Sequence, residues 1–358
     1  MMSQHKTILI TPLNWGLGHA SRCIPVIIQL LKLNCKVVVA ADGEALQLLK
    51  SEFPELTFEV FPGLKTTYSK FIPIPVLLLL RSPKLFKSIK KEHNTIRKLV
   101  ENYHVDGIIS DNRYGCYSSD IPSVIITHQL AIKTPLLKKH AQQLIEKLLS
   151  KFNATWVPDF EGEQNISGDL SHISKPLKNT HFLGPLTRFV ASSKDQAYSR
   201  KLLVLLSGPE PQRTLFEKKI VEQLQDIDYQ VLIVRGKLNQ TIPYAENDYL
   251  KFEAHLPTAQ LQQEIEASEL VLCRSGYSSL MDLARIGKKV LLVPTPGQSE
   301  QEYLAKRLSK NGICYTVRQS KLSLSKDVEK ALKFKAFQLE QDSKILERTL
   351  REWLAEIS

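Results

Sequence analysis

The sequence has little of what marks a disulfide-bonded, zinc-binding or membrane-spanning protein. Its five cysteines stand singly, without a CxxC pair, at Cys23, Cys35, Cys116, Cys273 and Cys314. Isolated thiols in odd number argue against a disulfide framework and a zinc site, and they predict a reducing compartment. No apolar run reaches the roughly 20 residues that cross a bilayer. The longest, Phe71–Leu80, contains two prolines.

A secretory leader is also lacking, because the first residues, MMSQHKTILITP, lead directly into a strand pattern. We therefore expect a cytoplasmic protein whose only membrane contact would be peripheral, at the inner face. The balance of 48 basic and 37 acidic residues gives a net charge of +11, which favours an anionic partner. Since no basic-aromatic recognition motif accompanies this charge, we expect no nucleic acid among the partners.

What the sequence does contain is a regular alternation of short apolar runs and helical patterns, which is typical of parallel α/β sheets. In the first half, the predicted strands are Thr7–Thr11, Lys36–Ala40, Thr57–Phe61, Gly107–Ser110, Ser123–Thr127, Thr155–Val157 and Phe182–Pro185. In the second half, they are Leu202–Leu206, Gln230–Val234, Leu250–Glu253, Leu270–Cys273, Val290–Val293 and Ile313–Val317. The last segment, Lys326–Ile357, lacks glycine and proline and is predicted to be helical throughout.

The pattern also predicts how the chain is divided. Thr187–Arg200 loses the apolar periodicity and gains polar residues, as a linker does. We expect a first Rossmann-like domain over residues 1–186, a linker over 187–200, a second such domain over 201–325 and closing helices over 326–358. Two domains of this type place a ligand cleft between the carboxyl ends of their strands.

The most informative stretch is Leu270–Tyr303, where a strand, a polar turn, a helical pattern and a second strand follow one another. The turn places small or polar residues at the helix N-terminus, namely Arg274, Gly276, Ser278 and Ser279. Unpaired N–H groups and the helix dipole favour a phosphate there. Asp282 lies further along the helix, within reach of a ribose hydroxyl, and a polar cluster, Gln298–Glu302, follows the second strand. Together these features predict a nucleotide-diphosphate site.

A second loop, PLNWGLGHASR, follows the first strand, and its Gly16 and Gly18 allow a tight turn into a helix. It is only loosely like the dinucleotide fingerprint, although Asp42 stands at about the distance of the acidic residue. A nicotinamide enzyme is therefore one alternative. His19 is a candidate base or oxyanion-binding group, because a histidine ordinarily titrates near neutral pH. The other interpretation is a helix-capping or surface histidine.

Two further polar residues follow strands of the first half. Asp111 is a candidate either to bind an acceptor hydroxyl or to orient His19 through a hydrogen bond. The alternative is an Asx turn that leads into Asn112. His128 has the same placement after another strand, and a role in the site is equally open for it.

In the second half, Ser207 and Gly208 form a strand-to-helix turn whose backbone can approach a phosphate. Arg235 ends another strand, either as a phosphate clamp or as a solvated charge. The stretch Lys65–Leu99 combines the run FIPIPVLLLL with several basic residues, which suits either an interfacial membrane patch or a buried loop before an amphipathic helix. The prolines favour the second, since they interrupt any amphipathic helix through the apolar part.

With these residues in place, the chain resembles the GT-B glycosyltransferases of family 28, which include the lipid-linked N-acetylglucosaminyltransferase of peptidoglycan synthesis and the plastid galactolipid synthases. The match is most specific over Ala267–Val317, where Arg274–Asp282 is also similar to the H-C-G-x-N-S-x-x-E signature of plant UDP-glycosyltransferases. GLGHASR looks like the family's glycine-rich loop, with His19 as its histidine. The resemblance implies an α/β fold of two Rossmann-like domains that face each other across a cleft, with a C-terminal helix crossing back to the first.

The resemblance also implies roles for individual residues. Ser278 and Ser279 would contact the donor diphosphate, and Asp282 would hold the ribose hydroxyls. Gln301 and Glu302 stand where the family has a pair that binds the donor sugar. The remaining donor-side candidates are Ser207, Gly208, Arg235, Arg274, Ser275 and Gly276.

The implied reaction moves a sugar from a nucleotide diphosphate donor, such as a UDP-sugar, to an acceptor hydroxyl. A lipid or a cell-envelope glycan is the candidate acceptor. His19 would be the base or would hold the acceptor, and the helix at Gly276 with Arg274 would stabilise the leaving diphosphate. Since no DxD motif is apparent, we expect neither a metal nor another cofactor. The alternatives are a nucleotide-sugar epimerase or hydrolase of the same fold and a non-catalytic sugar-nucleotide-binding regulator.

Overall fold

The computed structural model describes residues 5–63, 82–131, 138–173, 177, 179–191, 201–208, 210–237, 243–338 and 344–357. The apolar run Phe71–Leu80 lies outside these ranges. The chain forms two compact units, Met1–Leu186 with Gln341–Ser358 and Thr187–Glu340.

The first unit is built on a parallel seven-stranded sheet of order β3-β2-β1-β4-β5-β6-β7. Its strands are β1 (Thr7–Pro12), β2 (Lys36–Ala41), β3 (Thr57–Val60), β4 (Gly107–Asp111), β5 (Ser123–Ile126), β6 (Ala154–Val157) and β7 (Thr180–Phe182). Its first helices are α1 (Leu17–Lys32), α2 (Gly43–Glu52), α3 (Ser82–Tyr103) and α4 (Lys138–Leu149), with a 3₁₀ turn at Gly168–Leu170. Every residue of β1, β4 and β5 is buried, as expected of parallel strands covered on both faces.

The second unit has a parallel six-stranded sheet of order β10-β9-β8-β11-β12-β13. Its strands are β8 (Lys201–Leu205), β9 (Gln230–Val234), β10 (Leu250–Glu253), β11 (Leu270–Cys273), β12 (Val290–Leu292) and β13 (Tyr315–Thr316). Its helices are α5 (Gln212–Val221), α6 (Thr258–Ala267), α7 (Tyr277–Ile286), α8 (Ser299–Lys310) and α9 (Leu324–Leu332), with 3₁₀ turns at Leu224–Asp226 and Gln319–Lys321. The prediction of two parallel α/β sheets is confirmed.

The end of the chain is not helical throughout, and that prediction was wrong. Helix α9 ends at Leu332, and Phe337 then forms an antiparallel bridge to Lys288, with its N–H 2.8 Å from the Lys288 carbonyl oxygen. Phe337 is only 2% exposed. Burial of its ring and the backbone bridge to Lys288 therefore outweigh the local preference for helix.

A last helix, α10 (Ile345–Glu356), belongs to the first unit, as the predicted closing helix does. Trp353 packs edge to face on Trp156, with the ring centroids 5.5 Å apart. The Lys6 ammonium donates to the Leu354 carbonyl oxygen at 2.5 Å, near the end of the helix. Gly107 makes this packing possible, because a Cβ at that position would lie 2.7 Å from the Trp353 ring. The helix is thus part of the first hydrophobic core.

Candidate functional site

The carboxyl ends of three neighbouring strands meet at one edge of the first sheet. In the sheet register, Pro12 at the end of β1 pairs with Asp111 at the end of β4, and Asp111 pairs with Ile126 at the end of β5. His19 follows β1 in the first turn of α1, and His128 follows β5 by two residues. The register therefore brings these polar side chains, which are far apart in sequence, to the same edge.

The Asp111 carboxylate, which is fully buried, is the centre of this cluster. It accepts hydrogen bonds from His19 Nδ1 at 2.9 Å and from Arg22 Nε at 2.5 Å, and a second Arg22 bond comes from Nη2. The Cys23 thiol donates to it as well, at 3.6 Å. Burial alone would raise the pKa of Asp111, but the charges and hydrogen bonds of Arg22 and His19 outweigh it and hold the pKa at about 2. Asp111 is therefore ionised at neutral pH.

His19 keeps 15% of its side chain exposed beside this buried carboxylate. Its pKa is lowered from the ordinary value, chiefly by burial and further by the Arg22 charge, while Asp111 acts in the opposite direction. A lowered histidine pKa keeps the imidazole neutral at physiological pH, and only a neutral imidazole can accept a proton. The hydrogen bond to Asp111 was one of the two roles considered for that residue from sequence.

Arg22 is a member of the cluster that sequence reasoning missed. It is 1% exposed, and its Nη1 donates to His128 Nδ1 at 3.1 Å. The signal was its spacing, because residues three apart on a helix lie on the same face, and His19 stands three residues before it. Gly16, the N-cap of α1, has a φ of 89°, which supplies the turn that precedes His19, and Gly18 lies inside the first turn.

Asp42 makes a structural contact in the first unit. Its Oδ2 accepts the Gly63 N–H at 3.1 Å, so one carboxylate oxygen fixes the loop after β3. The same loop is held by Arg113, which donates to the carbonyl oxygens of Phe61 and Pro62 at 3.0 and 3.3 Å. These contacts weaken the nicotinamide interpretation, because they give Asp42 a structural role.

In the second unit, α7 begins at the carboxyl end of β11 with Gly276 as its N-cap, and no side chain of the described residues caps it. Ser278 and Ser279 lie half-buried in the first turn. Ser275 is fully buried, and its hydroxyl donates to the Gln301 carbonyl oxygen at 2.8 Å. The predicted helix is thus present after β11, and Ser275 ties its start to α8.

Arg274 is placed differently from the prediction that it faces the diphosphate. Its guanidinium is fully buried and donates to the carbonyl oxygens of Val293, Pro294 and Gln212 at 3.1 to 3.2 Å and to Gln319 Oε1 at 2.8 Å. It also lies over the Phe216 ring, 3.9 Å from the centroid. Burial lowers its pKa to about 9. The contacts indicate that Arg274 fastens the surrounding loops together.

Gln301 and Glu302 also support a loop. Gln301 Oε1 accepts the Thr295 N–H at 2.8 Å, and Glu302 Oε1 accepts the Gly297 N–H at 3.1 Å. Both side chains therefore fix the turn between β12 and α8. Thr295 is a second residue that sequence reasoning missed. Its hydroxyl is buried without a hydrogen-bond partner among the described residues.

Thr295 lies next to the predicted turn after β8. Gly208 has a φ of 96°, and a Cβ there would lie 3.8 Å from Thr295 Oγ1. Ser207 precedes it and is half-buried. The turn after β8 and the turn after β12 therefore approach each other at the edge of the second sheet.

Asp282 is buried on α7 and has partners within its own unit. Its Oδ1 accepts the Thr187 hydroxyl at 2.7 Å, and Arg188 Nε lies 3.8 Å from Oδ2. Burial raises the pKa of Asp282 from the ordinary value, against the effect of Arg188. The carboxylate thus holds the first residues of the predicted linker.

Arg235 is neither solvated nor unpaired. It is 4% exposed, and its Nε donates to Glu217 at 2.5 Å. The interpretation as a solvated charge was wrong, because the guanidinium is buried and paired with the Glu217 carboxylate. Since Glu217 takes up its charge, we do not include Arg235 among the residues proposed for the donor.

Two kinds of feature are absent from the part of the chain that the structure describes. It contains no cluster of three or more His, Cys, Asp or Glu side chains that could hold a metal ion. Within the same ranges, every helix is too short or too polar to cross a bilayer.

Comparisons with protein families, sequences and solved structures all find glycosyltransferases. Residues 209–354 match the model of the glycosyltransferase family 28 C-terminal domain. An uncharacterized glycosyltransferase of Methanosarcina acetivorans is 24% identical over 316 residues, which cover 80% of this chain and 77% of that protein. The UDP-N-acetylglucosamine–N-acetylmuramyl-(pentapeptide) pyrophosphoryl-undecaprenol N-acetylglucosamine transferase of Alkaliphilus oremlandii is 23% identical, over 63% of this chain and 64% of its own length. Among solved structures, the glycotransferase of kitacinnamycin superposes with a TM-score of 0.65 at 13% identity, over 99% of this chain and 96% of that one.

Proposed function

Because the chain is a family 28-like glycosyltransferase with the GT-B fold, we propose that it transfers a sugar from a UDP-sugar to an acceptor hydroxyl, with His19 as the base. The resemblance read from the sequence is confirmed at the level of family and fold. The hydrogen bond between His19 and Asp111 carries the catalytic part of the proposal.

In the proposed reaction, the acceptor hydroxyl gives its proton to His19 as its oxygen attacks the anomeric carbon of the donor. The bond between that carbon and the diphosphate breaks, and the diphosphate leaves with the electron pair. Asp111 stabilises the imidazolium that forms, because it is ionised and buried beside the ring. The base and its carboxylate thus supply the proton transfer.

The donor part of the proposal rests on the second unit. The N–H groups and dipole of the first turn of α7, with Ser278 and Ser279, suit the negative charge that develops on the leaving diphosphate. Asp282 on the same helix would hold the ribose, exchanging its contact with Thr187 for a sugar hydroxyl. Uridine is favoured as the nucleoside of the donor because a curated relative uses UDP-N-acetylglucosamine.

The acceptor is proposed to be a lipid-linked or cell-envelope glycan, reached at the inner face of the membrane. The relative from Alkaliphilus acts on a pyrophosphoryl-undecaprenol substrate. In this chain, α3 carries Phe86, which is 47% exposed, and these exposed basic residues: Lys87, Lys90, Lys91, Arg97 and Lys98. Such a surface suits an anionic membrane. Sedimentation with anionic lipid vesicles tests the proposed membrane contact, and an absence of binding at low salt would contradict that contact.

The first test is a comparison of His19→Ala with the unchanged protein. Transfer of labelled sugar from UDP-N-acetylglucosamine, UDP-glucose and UDP-galactose to an extracted lipid fraction would be measured, with UDP affinity measured by calorimetry. We expect UDP affinity to be kept and transfer to fall by a factor of about 10² to 10⁴, as when a general base is removed. His104→Ala, which alters an exposed histidine of the same unit, is the control.

Full transfer by His19→Ala would end the assignment of the base. The family match does not favour an epimerase, a hydrolase or a binding regulator. Analysis of the products separates these alternatives, because an epimerase or a hydrolase converts the donor without an acceptor, and a regulator gives no turnover.

A further inference from the structure

Arg22 joins three titratable side chains of the first unit through one guanidinium. Its Nε donates to Asp111 Oδ2 at 2.5 Å, its Nη1 to His128 Nδ1 at 3.1 Å, and its Nη2 lies 2.9 Å from His19 Nδ1 while also donating to Asp111 Oδ1. The side chain is 1% exposed. Both histidines of the edge therefore share a single buried cation.

The contact with Arg22 determines which nitrogen of His128 carries the proton. A guanidinium has only donors, so the His128 nitrogen that faces it must accept. That nitrogen is Nδ1. A neutral His128 must therefore carry its proton on Nε2, where it is a hydrogen-bond donor.

The opposite holds for His19. Its Nδ1 lies 2.9 Å from Asp111 Oδ1, and an ionised carboxylate has only acceptors. Arg22 Nη2 also lies 2.9 Å from this Nδ1, but it donates to the same carboxylate oxygen, and an ionised carboxylate is a stronger acceptor than a neutral imidazole nitrogen. Nδ1 of His19 therefore carries the proton, and Nε2 keeps the lone pair that a base requires.

We propose that Arg22 is a positioning residue that fixes the two histidines in opposite tautomers, so that His19 accepts a proton at Nε2 and His128 donates a hydrogen bond from Nε2. Its catalytic consequence rests on the proposed function, in which His19 takes the proton of the acceptor hydroxyl. A base and a donor on one edge suit an acceptor that presents a hydroxyl and a further oxygen.

The planar fork of arginine is what makes this arrangement possible. It reaches both Asp111 oxygens and His128 at once, from one side chain on α1. A lysine at this position would be a single compact charge on a flexible stem and could not satisfy the same set of partners together. We therefore expect Arg22→Lys to loosen the tautomer of His128 even though the charge is kept.

The tautomers are tested directly by nitrogen-15 spectra of protein labelled on histidine, because the protonated and unprotonated nitrogens of a neutral imidazole have different shifts. His19→Gln and His128→Gln assign the two signals. We expect the proton on Nδ1 of His19 and on Nε2 of His128, and a mixture of tautomers at His128 in Arg22→Lys and Arg22→Gln. A proton on Nδ1 of His128 in the unchanged protein would overturn the proposal.

The rate of transfer as a function of pH is the second measurement. The groups that face His19 are Asp111, Arg22 and His128, and Arg22 opposes a positive charge on the ring. Removing that charge in Arg22→Gln favours the imidazolium, so the acidic limb of kcat should move to higher pH. We expect kcat near neutral pH to fall by about 100-fold, as when a reacting group is misplaced.

Arg113→Lys is the matched control, since Arg113 is also 1% exposed in the first unit and pairs with a carboxylate, that of Glu92. It should leave both tautomers and the acidic limb unchanged, and a shift in this control would overturn a specific role for Arg22. An acidic limb of kcat that stays unchanged in Arg22→Gln would also overturn a specific role for Arg22. Should Arg22→Gln fail to fold, the spectrum of the unchanged protein and Arg22→Lys still decide the tautomers. Expected tautomers without transfer would count against the proposed function alone.

Discussion

Arg22 and Arg274 are both buried arginines near the carboxyl ends of parallel strands, one in each unit, but they have different partners. Arg22 donates to a carboxylate and an imidazole, whereas Arg274 donates to three backbone carbonyl oxygens and the side-chain oxygen of Gln319. The first set of partners can change protonation, and the second cannot. The comparison teaches that a buried arginine influences chemistry through titratable partners and influences loop structure through backbone partners.

The largest effect that tests this comparison is expected for Arg274→Met. The substitution leaves the carbonyl oxygens of Val293, Pro294 and Gln212 without their buried donor, and each such loss costs about 1 to 3 kcal/mol. We expect the free energy of unfolding, measured with urea, to fall by about 3 kcal/mol or more. Arg318→Met, at an exposed position of the same unit, should leave it almost unchanged. Equal stabilities of the two variants would contradict a fastening role for Arg274.

A smaller effect, on ligand binding rather than on folding, is expected for Asp282→Ala. If its carboxylate holds the ribose, the affinity for UDP should fall about tenfold, which corresponds to ~1.4 kcal/mol. Calorimetric titration measures this, with Asp226→Ala as the control at an exposed acidic position of the second unit. Unchanged affinity with intact folding would remove the proposed ribose contact.

The smallest effect is expected for Thr295→Val, which replaces a hydroxyl that has no hydrogen-bond partner among the described residues. Removing an unpaired buried hydroxyl should leave stability unchanged or slightly raise it. If the donor supplies the missing partner, affinity for UDP or its sugar conjugates should fall by a few-fold, about 0.5 to 1.5 kcal/mol. A loss of stability without a change in affinity would show that the hydroxyl serves the fold.

The strands could be predicted from sequence because most are short apolar runs between polar or glycine-containing turns. β9, β10 and β11 have the predicted bounds. The apolar run of β11 reflects burial on both faces, whereas the edge strand β10 alternates exposed Lys251 and Glu253 with buried Phe252. The end of the chain was harder. Phe337 leaves the helical pattern because it is buried and bridged to Lys288, which is distant in sequence, and a local pattern does not contain that information.

The candidate site was predictable where a turn or a helix N-terminus carries it, as at His19 and Gly276. It was not predictable where contacts with distant elements decide whether a charged side chain is buried and which partner it binds. A sequence does not show that Arg235 meets Glu217 or that Arg274 meets backbone oxygens, because those partners lie on other elements. Arg22 was overlooked for the same reason, since its partners Asp111 and His128 follow distant strands.

The closing helix α10 has a consequence for how the protein is made. Trp353 and Leu350 complete the core of the first unit, yet the ribosome adds them only after the whole second unit has been synthesised. Domains usually fold in the order of synthesis. Here the second unit is fully synthesised before the first one. Until α10 is made, the surface around Trp156 and Gly107 lacks the side chains that cover it. During translation, the strands of the first sheet are therefore all present before the helix that covers this face, and the His19 edge belongs to a unit whose core is completed last.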